Sequence, residues 1–296
     1  MMHNKPSKLV IIANPIAGRG QAYKAIQKCI HHWNNPDWNV ELLSTQRCGH
    51  AAQLAEDLLK TPPDLVAVCG GDGTLNEVAS RIPNPPFPIA VLPAGTANVV
   101  ARELKIPLDP IKALQIALKK RVKNIDIGEI NGGDRRFIFV AGIGFDAFAV
   151  ARVNLRLKAK IGISAYAAAI IDCLVNYSFP EFNVTVDNRI YKATSCLVCN
   201  FRSYGGGLLF CPDADMSDGL LDVLVIEGNR RLALAGFLIS AWFQKPMAGR
   251  LIHRLKASSI KIEGDSNALV QSDGELIGSL PLEITLKNRA FPLIIK

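Results

Sequence analysis

The chain has 296 residues, 49% hydrophobic and 20% charged, with a formal net charge of +8. This length holds two cores of ordinary size or one large α/β unit, and the composition excludes an extended disordered chain. The longest nearly charge-free run, "LALAGFLISAWF", has 12 residues, well short of the roughly 20 that span a bilayer. The N-terminal "MMHNKPSKLVIIANP" passes straight into a strand pattern without the cleavage pattern of an export signal, so a cytoplasmic protein is expected. Seven scattered cysteines, an odd number, argue against a disulfide framework. Cys196 and Cys199 form a CxxC, but on a strand they point to opposite faces and no second pair completes a metal site; buried core cysteines are expected. The positive charge admits nucleic acid, anionic lipid or phosphorylated substrates. No basic stretch carries interleaved aromatics and no zinc-finger spacing occurs, so nucleic acid is not an expected partner.

In chain order, strand patterns at 9–14, 39–44, 64–70 and 89–94 alternate with helix-period segments at 21–32, 49–60, 74–81 and 96–105. A further amphipathic helix follows Asp109, an N-cap residue. Short apolar strands alternating with helices predict a doubly wound parallel sheet covered on both faces. From about residue 130 strand patterns dominate, at 137–141, 182–187, 190–200, 220–227, 258–263, 268–272 and 282–287, interrupted by helical stretches near 154–175 and 230–243. The expected architecture is an α/β domain over 1–129 and a β-rich, sandwich-type domain over 130–287. The tail, 288–296, reads as a last strand of either domain.

Ligands of doubly wound sheets bind beyond the carboxyl ends of the strands, where three loops lie: "NPIAGRG", "GGDGTLN" and "PAGTANV". Glycines 70, 71 and 73 offer bare backbone, and the helix opening at Thr74, Leu75 and Asn76 offers unpaired N–H groups and a positive dipole end. Asp72 would repel phosphates there unless a cation such as Mg²⁺ bridged them. This loop reads either as a phosphate cradle or as a tight turn capping a helix. No GxxxxGK[ST] match occurs. Asn14–Gly18 with Arg19 reads by itself as an ordinary strand-to-helix turn, and Thr45 and Thr96 as helix caps. "GIGFDA" fits GxGxxA formally but lacks the βαβ continuation of a dinucleotide site, which leaves Asp146 a weak site candidate. Asp215 and Asp218-Gly219-Leu220 read as a turn before a strand. "ALVQSDGELIG" reads as a β-hairpin closed by Asp273-Gly274.

Six motifs in order then carry a resemblance. "NPIAGRG", "GGDGTLNEV", "LPAGTANVV", "GIGFDA", "PDADMSDGLLDV" and "QSDGEL" resemble the diacylglycerol kinase catalytic-domain family, soluble lipid kinases related to sphingosine kinases. The resemblance implies an ATP- and Mg²⁺-dependent transfer of phosphate to diacylglycerol or a related lipid alcohol. It implies nucleotide contacts from Asn14, Gly18, Arg19, Thr45, Gly70, Gly71, Asp72, Gly73, Thr74, Leu75, Asn76, Thr96 and Asn98. It implies Glu275 as general base with Asp273 beside it, magnesium at Asp72, and a magnesium ion held by Asp215, Asp218 and the Leu220 carbonyl. Where relatives continue N-D-F-A, Val99 and Val100 follow Asn98 here. The alternatives are an NAD kinase, which shares GGDGT, and an idle lipid- or nucleotide-binding regulator. A lipid substrate implies peripheral contact with an anionic membrane at its inner face; Arg152, Arg156, Lys158 and Lys160 beside the apolar 161–175 read either as an interfacial segment or, with Asp172 inside the stretch, as a core helix with a solvated basic end. Self-association is left open.

Overall fold

The structure is a computed structural model that describes residues 6–119, 121–152, 170–204, 207–228, 231–245 and 250–296. It divides into two compact units, one of residues 1–127 with 288–296 and one of 128–287. Among the described residues no helix is long and apolar enough to cross a membrane.

The first unit alternates β1 (Ser7–Ala13), α1 (Gln21–His31), β2 (Trp38–Ser44), α2 (His50–Asp57), β3 (Leu65–Gly70), α3 (Asp72–Arg81), β4 (Ile89–Pro93), α4 (Val99–Glu103) and α5 (Pro110–Ala117), then enters β5 (Val122–Ile130). The strands pair in parallel in the order β2-β1-β3-β4. β3 and β4 are buried at every residue, as inner parallel strands covered on both faces must be, whereas the edge strand β2 is only half-buried. Asp109 caps α5 as expected, accepting the Ile111 and Lys112 N–H groups, with Pro110 at the first helical position. Residues 96–98, expected as helix, lie before α4, because Asn98 is left-handed (φ 48°) and serves as its N-cap.

The second unit contains β6 (Arg135–Phe137), β7 (Val140–Gly144), α6 (Phe145–Arg152), β8 (Phe182–Val186), β9 (Arg189–Ala193), β10 (Ser195–Cys199), β11 (Ser203–Tyr204), β12 (Leu208–Leu209) and β13 (Leu221–Ile226). It continues with α7 (Arg231–Trp242), β14 (Ile252–Ala257), β15 (Ser259–Gly264), β16 (Leu269–Ser272), β17 (Glu275–Ser279) and β18 (Leu282–Ile294). One sheet runs β14-β13-β10-β7-β16-β17, antiparallel throughout. A second layer pairs β9, β8, β15 and the start of β18. Ile143, Val198, Val223 and Val270 of the first layer share one core with Val184, Ile260, Ile262 and Ile284 of the second, which makes the sandwich. The end of β18 belongs to the first unit, where Leu293 pairs with Ile89 of β4.

Two strand expectations are corrected. The run 190–200 is two strands in different layers, separated at Thr194, whose N–H bonds Ile226 O and whose Oγ1 bonds Gly228 O. The run 137–141 is broken at Ile138 and Phe139, for a reason given below. All seven cysteines are free. Cys196 faces the sandwich core and Cys199 lies outside that cluster, both buried, because α6 covers the outer face of β7, β10 and β16. The predicted helix at 154–175 lies outside the described residues as far as 169.

Candidate active site

In the first unit the three loops at the carboxyl ends of β1, β3 and β4 are stitched together. Asn14 Nδ2 donates to Thr74 Oγ1 over 3.4 Å. A Cβ on Gly18 would lie 2.3 Å from Ala94 O, and one on Gly71 3.2 Å from the Gly95 Cα. Gly18, Arg19 and Gly20 are all left-handed, with φ of 54°, 60° and 75°. Arg19 alone carries the steric cost of that region, of order 1 kcal/mol or more. Asn98, itself buried, folds its amide back on Gly95, accepting the Gly95 N–H at 2.9 Å and donating to Gly95 O at 2.8 Å.

α3 starts at Asp72, two residues before the expected Thr74. Its glycine-rich start separates into positions explained by packing and positions that packing leaves unexplained. A Cβ on Gly70 would collide with the Thr74 side chain at 2.6 Å, and Gly71 meets Gly95. Asp72 Oδ1 accepts the Val99 N–H at 2.8 Å, so this carboxylate caps α4. Burial pushes the Asp72 carboxyl above its ordinary 3.8, while the α4 amides of Val99 and Val100 pull it down. Glu77 Oε2 accepts the Ala51 N–H and so caps α2. Thr74 and Leu75 are buried, Thr74 against Asn14. Two positions remain. A Cβ on Gly73 would meet nothing within 4 Å, so no neighbour demands glycine there. The Asn76 side chain is buried, yet its Oδ1 has no hydrogen-bond partner. Thr45 continues the β1–β2 ladder through its N–H to Ala13 O, and Thr96 is exposed beside the α4 cap.

In the second unit Asp273 (φ 47°) and Gly274 (φ 89°) close the β16–β17 hairpin with Ser272 opposite Glu275. Two left-handed residues in a two-residue loop make the turn type that an Asp-Gly pair favours. Asp273 reaches across to the break between β6 and β7. Its carboxylate accepts the N–H groups of Ile138 (2.8 Å), Phe139 (3.0 Å) and Val140 (2.8 Å). Asn200 Nδ2 donates to Ile138 O, pinning the same break from the other side. Those bonds take the place of ladder pairing, which is why one apolar run becomes two strands. Behind the turn, buried Gln271 holds Gly274 N–H on its Oε1 and donates to Asp146 Oδ2, both at 2.6 Å. Burial raises the Asp146 carboxyl to about 6, with the Gln271 bond opposing it. Gly142 makes room, since a Cβ there would lie 2.0 Å from Asp146 Oδ2. Glu275 itself is exposed. The next residue, Leu276, lines a cavity of about 550 Å³ with Phe148, Tyr177 and Leu269 among its apolar groups and Ser266 and Asn267 among its polar ones.

At the start of β13, Asp218 Oδ1 accepts the Leu220 N–H at 3.0 Å and Oδ2 pairs with Lys256 Nζ at 2.7 Å. Lys256 also lies 3.6 Å from Asp222, whose carboxyl burial raises. Asp215 Oδ1 holds the Ser217 N–H and hydroxyl. Among the described residues no cluster of three or more His, Cys, Asp or Glu side chains is arranged to hold a metal ion.

With this geometry in place, comparison with known proteins is decisive. The family profile of the diacylglycerol kinase catalytic domain matches residues 8–130, and that of the YegS C-terminal NAD kinase beta sandwich-like domain matches residues 140–295. The chain belongs to the diacylglycerol kinase catalytic-domain family. A diacylglycerol kinase of Mycobacterium tuberculosis (strain CDC 1551 / Oshkosh) is 29% identical over 294 residues, covering 97% of this chain and 94% of its own. One from Bacillus subtilis (strain 168) is 29% identical over 279 residues, with 92% and 91% covered. The crystal structure of a diacylglycerol kinase from Bacillus anthracis str. Sterne matches with a TM-score of 0.74 at 25% identity, covering 99% of this chain and 98% of that one. This lipid-kinase family member thus carries its glycine-rich signature and its Asp-Gly hairpin on separate units. Gln271, Asn200, Glu77 and Lys256 went unassigned in the sequence. Each has a partner 26 to 125 residues away along the chain, so no local pattern marks them.

Proposed function

We propose that the protein is an ATP-dependent lipid kinase that transfers the terminal phosphate to the hydroxyl of diacylglycerol or a related lipid alcohol. One observation carries the nucleotide half: packing accounts for Gly70, Gly71, Asp72, Thr74 and Glu77 but leaves the bare backbone of Gly73 and the unpartnered Asn76 Oδ1. Open backbone at the first turn of a helix is where phosphate oxygens are received, and a buried amide oxygen wants a donor, which a nucleotide supplies from a ribose hydroxyl or base amino group rather than from phosphate. Asn14, Gly18, Arg19, Thr45, Thr96 and Asn98 are the further nucleotide contacts in this reading.

Magnesium fits one of the two places considered. Burial penalises the charge on Asp72, so a cation brought in with the nucleotide would be stabilised there, and hard carboxylate oxygen suits Mg²⁺. When bound, the ion would neutralise phosphate charge. The Asp215, Asp218 and Leu220 set does not fit in this arrangement, because the Lys256 ammonium already occupies Asp218.

For the acceptor, Glu275 is the base in this reading. Its exposed carboxylate leaves it able to take a proton from an alcohol, whereas every oxygen of Asp273 is committed to backbone N–H groups. The cavity beside Leu276, lined by both apolar and polar side chains, suits an amphipathic lipid. Relatives named diacylglycerol kinase support the same substrate class.

The test is labelled ATP incubated with a panel of lipid alcohols in mixed micelles, with NAD as the competing acceptor. Phosphate on NAD alone would overturn the reading. Gly73→Ala should weaken nucleotide binding without lowering Tm, since its Cβ meets open space, whereas Gly71→Ala should lower Tm. A Gly73→Ala enzyme with unchanged nucleotide affinity would remove Gly73 from the site.

A further inference from the structure

α7 is unusual for a surface helix. From Leu232 to Phe243 its sequence holds one polar residue, Ser240, and the Ser240 hydroxyl is turned inward on Phe237 O at 2.7 Å. Leu234, Phe237 and Ala241 are buried, with the Phe237 ring stacked near Phe210. The opposite face carries Leu232, Ile239, Trp242 and the following Phe243, exposed by 88%, 58%, 49% and 68%. At 3.6 residues per turn these four fall on one side of the axis. Arg231 ties the start of α7 to helical residues 170–176 through Leu174 O (3.1 Å) and Tyr177 O (3.2 Å), and that segment adds exposed Ile171 and Val175. Half of the twelve large exposed hydrophobic residues described are therefore on these two helices.

Charge identifies what covers this face. Residues 228–262 contain seven Lys or Arg and no Asp or Glu. Arg254, Lys256 and Lys261 are engaged with Phe210 O, Asp218 and Glu263, and Arg231 with Leu174 O and Tyr177 O; the other three, Arg230, Lys245 and Arg250, flank α7 in sequence. A second copy docking by the same patch would set these cations against their own kind. An anionic bilayer meets both requirements, cations at the headgroups and apolar side chains at the acyl boundary. A 12-residue helix is about 18 Å long, too short to cross the roughly 30 Å hydrocarbon core, so it lies along the surface.

We propose that α7, with Ile171 and Val175, is the face by which this protein docks on an anionic lipid bilayer. The inference deepens the lipid-kinase reading by naming where the enzyme meets its substrate's membrane, and rests on that reading for its purpose.

The experiment uses the full chain with phosphatidylcholine vesicles, with and without phosphatidylglycerol. The triple variant Leu232→Glu, Ile239→Glu, Phe243→Glu is compared with a triple serine variant at the same positions and with Trp242→Phe. The wild type should sediment with phosphatidylglycerol vesicles, less so as salt rises. Acyl-chain bromolipids should quench a tryptophan signal that Trp242→Phe lacks. The glutamate variant should bind about a hundredfold more weakly, and the serine variant should weaken in the same direction. Both should keep the wild-type Tm and the wild-type rate on a short-chain, monomeric lipid alcohol. Unchanged vesicle binding by both triple variants, or no Trp242-dependent quenching, overturns the proposal. So does a lipid-free dimer that the triple variants convert to monomer, because the face would then be a self-interface. Trp242-dependent docking by an enzyme that phosphorylates no lipid alcohol would sink the kinase reading and leave the docking face standing.

Discussion

Replacing Asp72 with asparagine separates two roles that one carboxylate could serve. In the structure Asp72 Oδ1 accepts the Val99 N–H at 2.8 Å and caps α4. Asparagine keeps an oxygen acceptor, so that bond survives, weakened from charge-assisted to neutral by about 1 kcal/mol. Against this loss stands the burial that raises the Asp72 carboxyl above 3.8. A group whose folded pKa is raised gives stability that is full below the unfolded value and is lost as pH rises through the folded value. Removing the charge relieves that burial penalty, which offsets the weakened bond in sign. Asp72→Asn should therefore melt within roughly 1 kcal/mol of the wild type. Asp72→Ala, which leaves the Val99 N–H unpaired, should lose about 1–3 kcal/mol. If Asp72 also holds the cation on the phosphates, Asp72→Asn should lower kcat by about a hundredfold or more. The assay pairs a thermal melt with steady-state phosphorylation across a magnesium titration. Near-wild-type kcat at ordinary magnesium would refute the reasoning and leave Asp72 a helix cap alone.

Other substitutions divide the second unit in the same way. Glu275→Gln should lower kcat by about 10²–10⁴ with Tm unchanged, because the side chain is exposed; a shift in Tm without a rate loss would count against its role as base. Asp273→Asn turns one donor toward the Ile138 N–H and should cost about 1–3 kcal/mol in a denaturant melt; an unchanged melt would mean that this cap is dispensable. Asp146 has a carboxyl raised to about 6, so its contribution is full below 3.8 and lost as pH rises through 6. Asp146→Asn should then raise stability above that pH by up to about 3 kcal/mol and flatten the pH profile of Tm between 4 and 6; a parallel profile contradicts it. Lys256→Met strips the cation from Asp218 and Asp222 and should produce a variant whose Tm rises with added Mg²⁺ more than the wild type's. Equal responses would show that Lys256 does not stand in for a metal.

The fold class was legible because burial on both faces leaves a mark that a single sequence carries: inner strands β3 and β4 are continuous apolar runs, and one-sided strands such as β8 and β15 alternate. The break at Thr194 was concealed because no turn-forming Gly or Pro marks it. β9 is largely exposed, whereas β10 is covered by the other layer on one side and by α6 on the other; the switch between layers depends on a bond to Ile226 in a strand met later. The site was legible as a set of motifs, but the division of labour within them was not. Asp72 in a phosphate loop suggested a charge conflict needing a metal; its nearest compensation is the start of α4, 27 residues away. Glu77 answers to Ala51, 26 residues back, and Asp273 to amides more than 130 residues earlier. Acidic residues in these motifs therefore hold together the loops and strands of the candidate site. A motif match reports such structural acids and the reacting groups with equal force. Asn76 and Gly73 stand out in the signature only by what they lack, a partner for one and a crowding neighbour for the other, and such absences are visible only when the rest of the loop is accounted for atom by atom.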